Sequence, residues 1–352
     1  MDRYIQTTSA LLVAVFVVVI TFWNAKELNW DTEQHPILNG TQARELESQF
    51  EQSVVISDWA KGLWAAIDYS LFKEGYSGVV VGSEGWLFSA EEYFVPEKKH
   101  AKLESNLLFV TNISKQFQAS GITLKVALIP EKAEIYAEYA PIQPLRRQGL
   151  REEIYATLRQ GNLDVIDLFE TLKALKHEQQ LFLKTDTHWT PYGAKAAANI
   201  IAQTLPQYDV VDFNTTASKP TTFRGDLLNF IPVAPYFNNF GPTPDTLVAY
   251  STEPSALEDE DLLFAPIAEP SIALIGTSYS ANTNWNFPGF LRDAAKQEVL
   301  DLSTEGQGPF TPMEDFILDS DFNNNNIKTV IWEIPIRYFE SNNFYAKSQG
   351  NG

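Results

Sequence analysis

The chain has 352 residues, 44% of them apolar, enough for one large domain or two modest ones with a sizeable core, which excludes wholesale disorder. Its formal net charge of −19, with no cluster of lysine or arginine, excludes a nucleic-acid groove, because such a groove needs positive potential along the phosphate track. It has no cysteine, which removes disulfides, thiolate catalysis and Cys-ligated zinc; a core of this size holds without disulfides outside the cytoplasm.

In chain order, Ile5 to Trp23 carries no charge, and Ala10 to Trp23 is its most apolar part. That part is short for a spanning helix, but the adjoining threonines and serine suit an interface. No small-x-small cleavage signal precedes Asn24-Ala25-Lys26, so residues 1–27 read as an uncleaved signal anchor, with a cleaved signal peptide as the alternative. Residues 28–72 read as a polar linker and a helical lead-in, where Leu46, Phe50, Val54, Ile56, Trp59, Leu63 and Ile67 recur at mixed three- and four-residue spacing. Residues 73–345 read as one catalytic domain beyond the membrane.

Within that domain, Gly78 to Phe88 predicts a strand, a glycine turn and a second short strand. Lys102 to Ser120 predicts a helix. Ile122 to Ile129, a nearly continuous apolar run stopped by Pro130, predicts a buried parallel strand. A helix around Leu150 to Arg159, a strand from Leu163 to Leu168 and a helix opened by Pro191 follow. Asp209 to Ala268 lacks periodicity and reads as a surface excursion. Ser271 to Ile275, Val299 to Asp301 and Lys328 to Trp332 supply further strands, with a helix from about Trp285 to Lys296. Apolar strands alternating with helices give an α/β fold, a mainly parallel sheet flanked by helices.

The sharpest local feature is Gly276-Thr277-Ser278 at the end of an apolar strand. A glycine two positions before the serine permits a tight bend that projects the hydroxyl from the sheet's carboxyl edge. The competing role for Ser278 is a helix cap. Asp186-Thr187-His188-Trp189 supplies the partners that a serine nucleophile needs, with an imidazole as base and a carboxylate to hold its tautomer. Here the competing roles are a helix cap at Asp186 or Thr190 and a buried structural histidine. Zinc is the rival chemistry, but Asp186 and His188 lack a recognisable third ligand among His35, His100 and His177. Lys132 and Arg337 each follow an apolar strand and a proline turn, and Tyr279 adjoins the serine; all three are candidates for substrate contact or for structural roles. Trp86, Trp189 and Tyr136 read as core aromatics.

These features, in this order, resemble the SGNH-hydrolase-like domains of the AlgX/AlgJ alginate O-acetyltransferase group. The resemblance runs from Val79 to Phe339. It takes in Gly82-x-x-Gly85-Trp86-Leu87-Phe88, Ile129-Pro130-Glu131-Lys132-Ala133, Val165-Ile166-Asp167-Leu168 and Asp186-Thr187-His188-Trp189-Thr190-Pro191-x-Gly193. Gly225-Asp226-Leu227, Gly276-Thr277-Ser278-Tyr279-Ser280 and Trp332-Glu333-x-Pro335-x-Arg337 complete it. The family order puts Asp-x-His before Ser, permuted relative to ordinary SGNH hydrolases, which suits the pairing of Asp186 and His188 with Ser278.

The resemblance implies acetyl transfer to hydroxyls of an exopolysaccharide outside the cytoplasmic membrane, with Ser278 as acetyl-serine nucleophile, His188 as general acid/base and Asp186 as its orienter. It also implies a multipass membrane O-acyltransferase as acetyl supplier and other exopolysaccharide assembly proteins as partners; nothing in the sequence identifies a soluble cofactor. The anchor and the chain length look AlgJ-like. The strong negative charge sits uneasily with alginate, a polyanion, unless a local positive entrance or salt offsets the repulsion. A carbohydrate esterase with the same triad and a noncatalytic assembly scaffold are the competing classes.

Overall fold

In the computed structural model, residues 57–93, 99–141, 149–255, 269–318 and 326–341 are described. The expected anchor, the linker and most of the helical lead-in lie outside them, as do His35 and the end of the expected catalytic domain. The chain divides into two units, residues 1–73 with 231–241, and residues 74–230 with 242–352. The first contains helix α1 (Ser57–Ile67), the described end of the expected lead-in, which runs on into a wider turn from Asp68 to Phe72. Trp59 of α1 packs on Phe237 with ring centroids 5.7 Å apart, and the Ser70 hydroxyl donates to the Phe240 carbonyl.

The second unit opens with the antiparallel pair β1 (Val79–Val81) and β2 (Leu87–Ser89), the strand-turn-strand expected there. Helix α2 (Lys99–Ala119) leads to β3 (Thr123–Ile129) and the short α3 (Lys132–Ile135). Next come α4 (Leu150–Gln160), β4 (Asp164–Asp167), α5 (Phe169–Leu175) and α6 (Pro191–Ala202). The excursion contains β5 (Phe213–Ala217), β6 (Thr221–Phe223), β7 (Asp245–Leu247) and β8 (Tyr250–Pro254), paired antiparallel as β5 with β8 and β6 with β7. The chain closes with β9 (Ile272–Ile275), α7 (Ser278–Ala281), α8 (Phe287–Ala295), β10 (Val299–Asp301), α9 (Phe310–Leu318) and β11 (Thr329–Pro335).

The central sheet has five strands in the order β10-β9-β11-β3-β4, every pair parallel. Side-chain alternation divides its core into two layers. Leu124, Val126 and Leu128 of β3, Ala273 and Ile275 of β9, and Val330, Trp332 and Ile334 of β11 pack with α2, α4 and α9. Ala127 and Ile129, Ile272 and Leu274, and Ile331 pack on the other face with α6 and α8. Both faces are covered, which is why these strands read as continuous apolar runs. β11 lies in the middle and runs three residues past the expected Trp332, to Pro335. Glu333 is therefore a strand residue, and alternation places it on the Ile331 face.

Trimming the centre of this sheet tests the arrangement. Ile331→Ala is expected to lower the unfolding free energy by about 2–5 kcal/mol, whereas Leu318→Ala, at a side chain 80% exposed, should stay within about 0.5 kcal/mol of the parent. Urea denaturation at fixed pH reads the difference.

Candidate active site

Two loops meet at the carboxyl edge of the sheet. The first, after β9, bends at Gly276 because the buried Glu333 carboxyl comes up beside it. A Cβ on Gly276 would sit 2.4 Å from Glu333 Oε2 and 2.9 Å from Ser280 Oγ, so only glycine fits without displacing that contact. Glu333 Oε2 accepts from the Thr277 N–H at 2.7 Å and from the Ser280 hydroxyl at 3.1 Å, and the Thr277 hydroxyl donates to the same carboxyl. Thr277 caps α7, accepting from the Tyr279 N–H, so the cap considered for Ser278 is Thr277. Ser278 is instead the first helical residue, half-buried, its hydroxyl free to face the second loop.

The second loop, Leu181 to Thr190, is pinched at its base. The Thr190 N–H donates to the Leu181 carbonyl at 2.8 Å, and the Leu183 N–H to the His188 carbonyl at 3.1 Å. Thr190 caps α6 by accepting from the Gly193 N–H, which frees Asp186 from the capping role considered for it. The pinch turns Asp186 and His188 back on one another. Asp186 Oδ1 accepts from His188 Nδ1 at 2.7 Å and from the His188 N–H at 2.9 Å. His188 Nε2 lies 2.7 Å from Ser278 Oγ. The structure thus brings Asp186, His188 and Ser278 into one hydrogen-bonded line.

Several groups hold that line in place. Asp186 Oδ2 accepts from the Asp226 N–H at 2.9 Å, and Asp226 Oδ1 accepts from the Thr187 N–H at 2.8 Å. This exchange needs Gly225, since a Cβ there would lie 2.1 Å from the Thr185 carbonyl oxygen. Burial works to raise the Asp186 pKa, but the hydrogen bond and charge of His188 outweigh it and leave the carboxyl below its ordinary value. Trp285 stacks on the His188 ring, centroids 4.7 Å apart and planes 20° from parallel, and its indole N–H donates to the Ser278 carbonyl at 2.9 Å. Such a stack contributes about 0.5–1.5 kcal/mol beyond area burial.

Lys132, Arg337 and Tyr279, the candidates for substrate contact or for structural roles, are all buried. Lys132 is 1% exposed, and its ammonium donates to the carbonyls of Leu87 at 2.6 Å, Lys184 at 3.1 Å and Asp186 at 2.8 Å. Its three donors are thereby satisfied, and it ties β2 to the Asp186 loop. Burial pulls its pKa down to about 8, against the opposing pull of Glu92 and Asp186. Arg337 is also buried: its backbone N–H and guanidinium both donate to Glu131, and its Nε lies 3.4 Å from Glu91. Tyr279 is 1% exposed, and its hydroxyl donates to the Thr187 carbonyl, bracing the loop from behind. Trp86, Trp189 and Tyr136 are core aromatics as expected.

The residues missing from the sequence reading are Glu333, Asp226 and Trp285 in their positioning roles. An acid inside the apolar run of β11 was the available signal for Glu333, whereas no spacing rule links Trp285 to Ser278. Asp186, His188 and Asp226 also offer ligand atoms within 4.8 Å of one another, the third ligand that zinc lacked in the sequence. Their hydrogen bonds oppose that use: both His188 ring nitrogens are engaged, and a cation on them would break the contact to Asp186 or Ser278.

Two outcomes test this geometry. Gly225→Ala should displace Asp186 and reduce labelling of Ser278 by a sulfonyl fluoride about a hundredfold, the cost of a misplacement near 1 Å. Burial, the largest cause, pushes both Glu333 and Glu92 up to about 7. A carboxyl raised in the fold keeps its proton there after the unfolded chain has lost it, so stability falls as pH rises from about 4.5 through about 7. Glu333→Gln removes one such group, and its melting temperature should fall less steeply than the parent's between pH 5 and 8 in scanning calorimetry.

Comparison with known proteins accords with this geometry. Residues 79–336 match the family model of the SGNH hydrolase-like domain, acetyltransferase AlgX. The chain is 35% identical to the probable alginate O-acetylase AlgJ of Pseudomonas putida, over 97% of this chain and 92% of that one. It is 36% identical to the probable alginate O-acetylase AlgJ of Pseudomonas aeruginosa, over 86% of this chain and 81% of the other. Among solved structures, the O-acetyltransferase domain of Pseudomonas putida AlgJ superposes with a TM-score of 0.70 at 35% identity, covering 76% of this chain and 94% of that one. A parallel sheet with a hydroxyl, an imidazole and a carboxylate aligned at its edge, matched over these lengths, places the chain in the family of SGNH hydrolase-like acetyltransferases of the AlgX type, nearer to AlgJ than to AlgX.

Proposed function

We propose that the chain moves acetyl groups to hydroxyls of an exopolysaccharide through an acetyl ester on Ser278. The observation that carries this reading is the unbroken line from Asp186 through His188 to Ser278, with 2.7 Å at each side-chain contact. His188 Nε2 takes the Ser278 proton as Oγ bonds to the acetyl carbonyl carbon. The bond from that carbon to the donor oxygen then breaks, and the departing oxygen takes the proton from His188. In the second half, His188 removes a proton from a sugar hydroxyl, the sugar oxygen attacks the acetyl carbon, and Ser278 Oγ leaves and is reprotonated. Asp186 stabilises the imidazolium formed in each half. The Ser278 N–H, at the first position of α7, belongs to the set of donors that a helix start leaves open, and serves the oxyanion.

The relatives named for alginate support a uronate polymer as the acceptor class. We place the reaction on the periplasmic side of the cytoplasmic membrane, with residues 5–23 as the anchor and a multipass membrane O-acyltransferase as the supplier of acetyl groups. The charge-free run of that segment supports the anchor. None of the described helices is long and apolar enough to cross a membrane.

The test uses a labelled acetyl ester, a polyuronate acceptor and the full chain. Label should pass to polymer, and Ser278→Ala should reduce that transfer by about a thousandfold or more. Release of free acetate with unmodified polymer would make the protein an esterase, and undiminished transfer by Ser278→Ala would end the nucleophile assignment.

A further inference from the structure

Large apolar side chains are exposed unevenly along the chain. Of the ten exposed among the described residues, six belong to the first unit: Trp59, Trp64, Leu71, Phe72, Tyr236 and Phe240. That unit supplies only 28 of the 253 described residues, and the six are between 46% and 73% exposed. Single exposed apolar residues are ordinary, but such a concentration marks an interaction face.

Packing within the unit brings them together. α1 lies against the segment 231–241 at Gly62, where a Cβ would sit 3.2 Å from the Phe237 ring and 3.5 Å from the Val233 carbonyl oxygen. Ala65 and Ala66, three and four residues on, are buried. At about 3.6 residues per turn, Trp64 lies roughly 150° round the helix from these small residues and points away from the segment. The Trp59 contact with Phe237 puts Tyr236 beside the start of α1. The Ser70 hydroxyl, donating to the Phe240 carbonyl at 3.1 Å, puts Phe240 beside Leu71 and Phe72. The exposed side chains are therefore neighbours rather than scattered.

The chemistry of this face suits a lipid surface. All but Leu71 are aromatic, and tryptophan and tyrosine are the side chains enriched where a bilayer meets water. Lys61 precedes Trp64 by three residues and Lys73 follows Phe72 directly, so an ammonium on a flexible stem can stay at the headgroup level while its neighbours lie deeper. The charged residues described in the unit are Asp58, Lys61, Asp68 and Lys73, which sum to zero in a chain of net charge −19. Anionic lipid repels the chain as a whole, and this unit least. The charge-free run ends at Trp23, 34 residues before Ser57. A tether of that length spans at most about 120 Å, ample for the unit to return to the bilayer that holds the run. A face delivered on a tether needs only weak affinity of its own.

We propose that Trp59, Trp64, Leu71, Phe72, Tyr236 and Phe240 form a second membrane contact, a face that sits in the headgroup zone of the bilayer carrying residues 5–23. It rests on the anchor reading above for its tether, and its occupant is lipid. The experiment exploits the absence of cysteine: Ala60→Cys, exposed and one turn before Trp64, gives the full chain a single nitroxide site. The labelled chain is reconstituted at low density in vesicles of phosphatidylethanolamine and phosphatidylglycerol. Spin resonance then reads collisions of the label with oxygen, which concentrates in lipid, and with a nickel chelate, which stays in water. High oxygen access with low nickel access is expected. Leu71→Glu in the same chain should lower the ratio of docked to undocked label about tenfold or more, by taking a leucine out of lipid and adding a charge. Leu71→Met, which stays apolar, should leave both accesses unchanged. Equal melting temperatures show that the variants are folded. Free access of nickel to the parent label, or indifference to Leu71→Glu, would overturn the proposal. So would protection from both reagents, the mark of a protein cover, or dipolar broadening lost on dilution with unlabelled chain, the mark of a second copy. Carbonate extraction of the same vesicles tests the anchor separately: an extractable chain ends that reading, whereas the label decides this one.

Discussion

The Glu333 carboxyl, wholly buried on the central strand, is the contact on which the site depends. It faces the layer where its neighbour Ile331 is apolar, and there it collects the Thr277 N–H and the hydroxyls of Thr277 and Ser280. A buried carboxyl without partners costs several kcal/mol, so the turn after β9 and the acid stabilise each other and neither is free to move alone. Strand β11 pairs with β9 on one side and β3 on the other. The position of Ser278 is thereby referred to the middle of the sheet rather than to a flexible loop.

The histidine side of the site is anchored by a comparable device. The Lys132 ammonium, at the start of α3 just beyond β3, collects carbonyls from β2 and from the Asp186 loop. The same turn contains Glu131, which holds Arg337 beyond the end of β11. Buried charges here take the place that a loop's weak local structure leaves open. They join chain segments far apart in sequence at the one edge where a hydroxyl and an imidazole must meet within 2.7 Å. Truncating one partner of such a pair leaves an uncompensated charge, so these residues are costly to change although none of them touches the reacting atoms.

The fold was largely legible because parallel strands buried on both faces leave continuous apolar runs, as in Ile122 to Ile129 and Ser271 to Ile275. The meeting of Asp186, His188 and Ser278 was legible because few residue types suit nucleophilic chemistry, and the order of motifs pointed to their pairing. Lys132 and Arg337, each after a strand and a proline turn, and Tyr279, beside the serine, were open in the sequence between substrate contact and a structural role. Their acceptors are backbone carbonyls and carboxylates brought in by distant segments, and no local pattern announces those. Glu333 ended the expected strand too early for the same reason: an acid in an apolar run looks like a terminus unless its partners are known. Trp285 gave no signal, since its stacking partner lies in a loop far earlier in the chain.

The aromatic packing around the imidazole has a kinetic meaning. Trp285 covers one face of the His188 ring, and Tyr279 meets it at 61° with centroids 4.8 Å apart, while Asp186 fixes Nδ1. A ring clamped in this way cannot swing between two basic positions, so a single nitrogen must serve as the proton carrier for both halves of the proposed transfer. Donor and acceptor oxygens then have to occupy the same spot in succession. In the proposed transfer the first product would therefore depart before the second substrate arrives, a ping-pong order to which the packing of one heterocycle contributes.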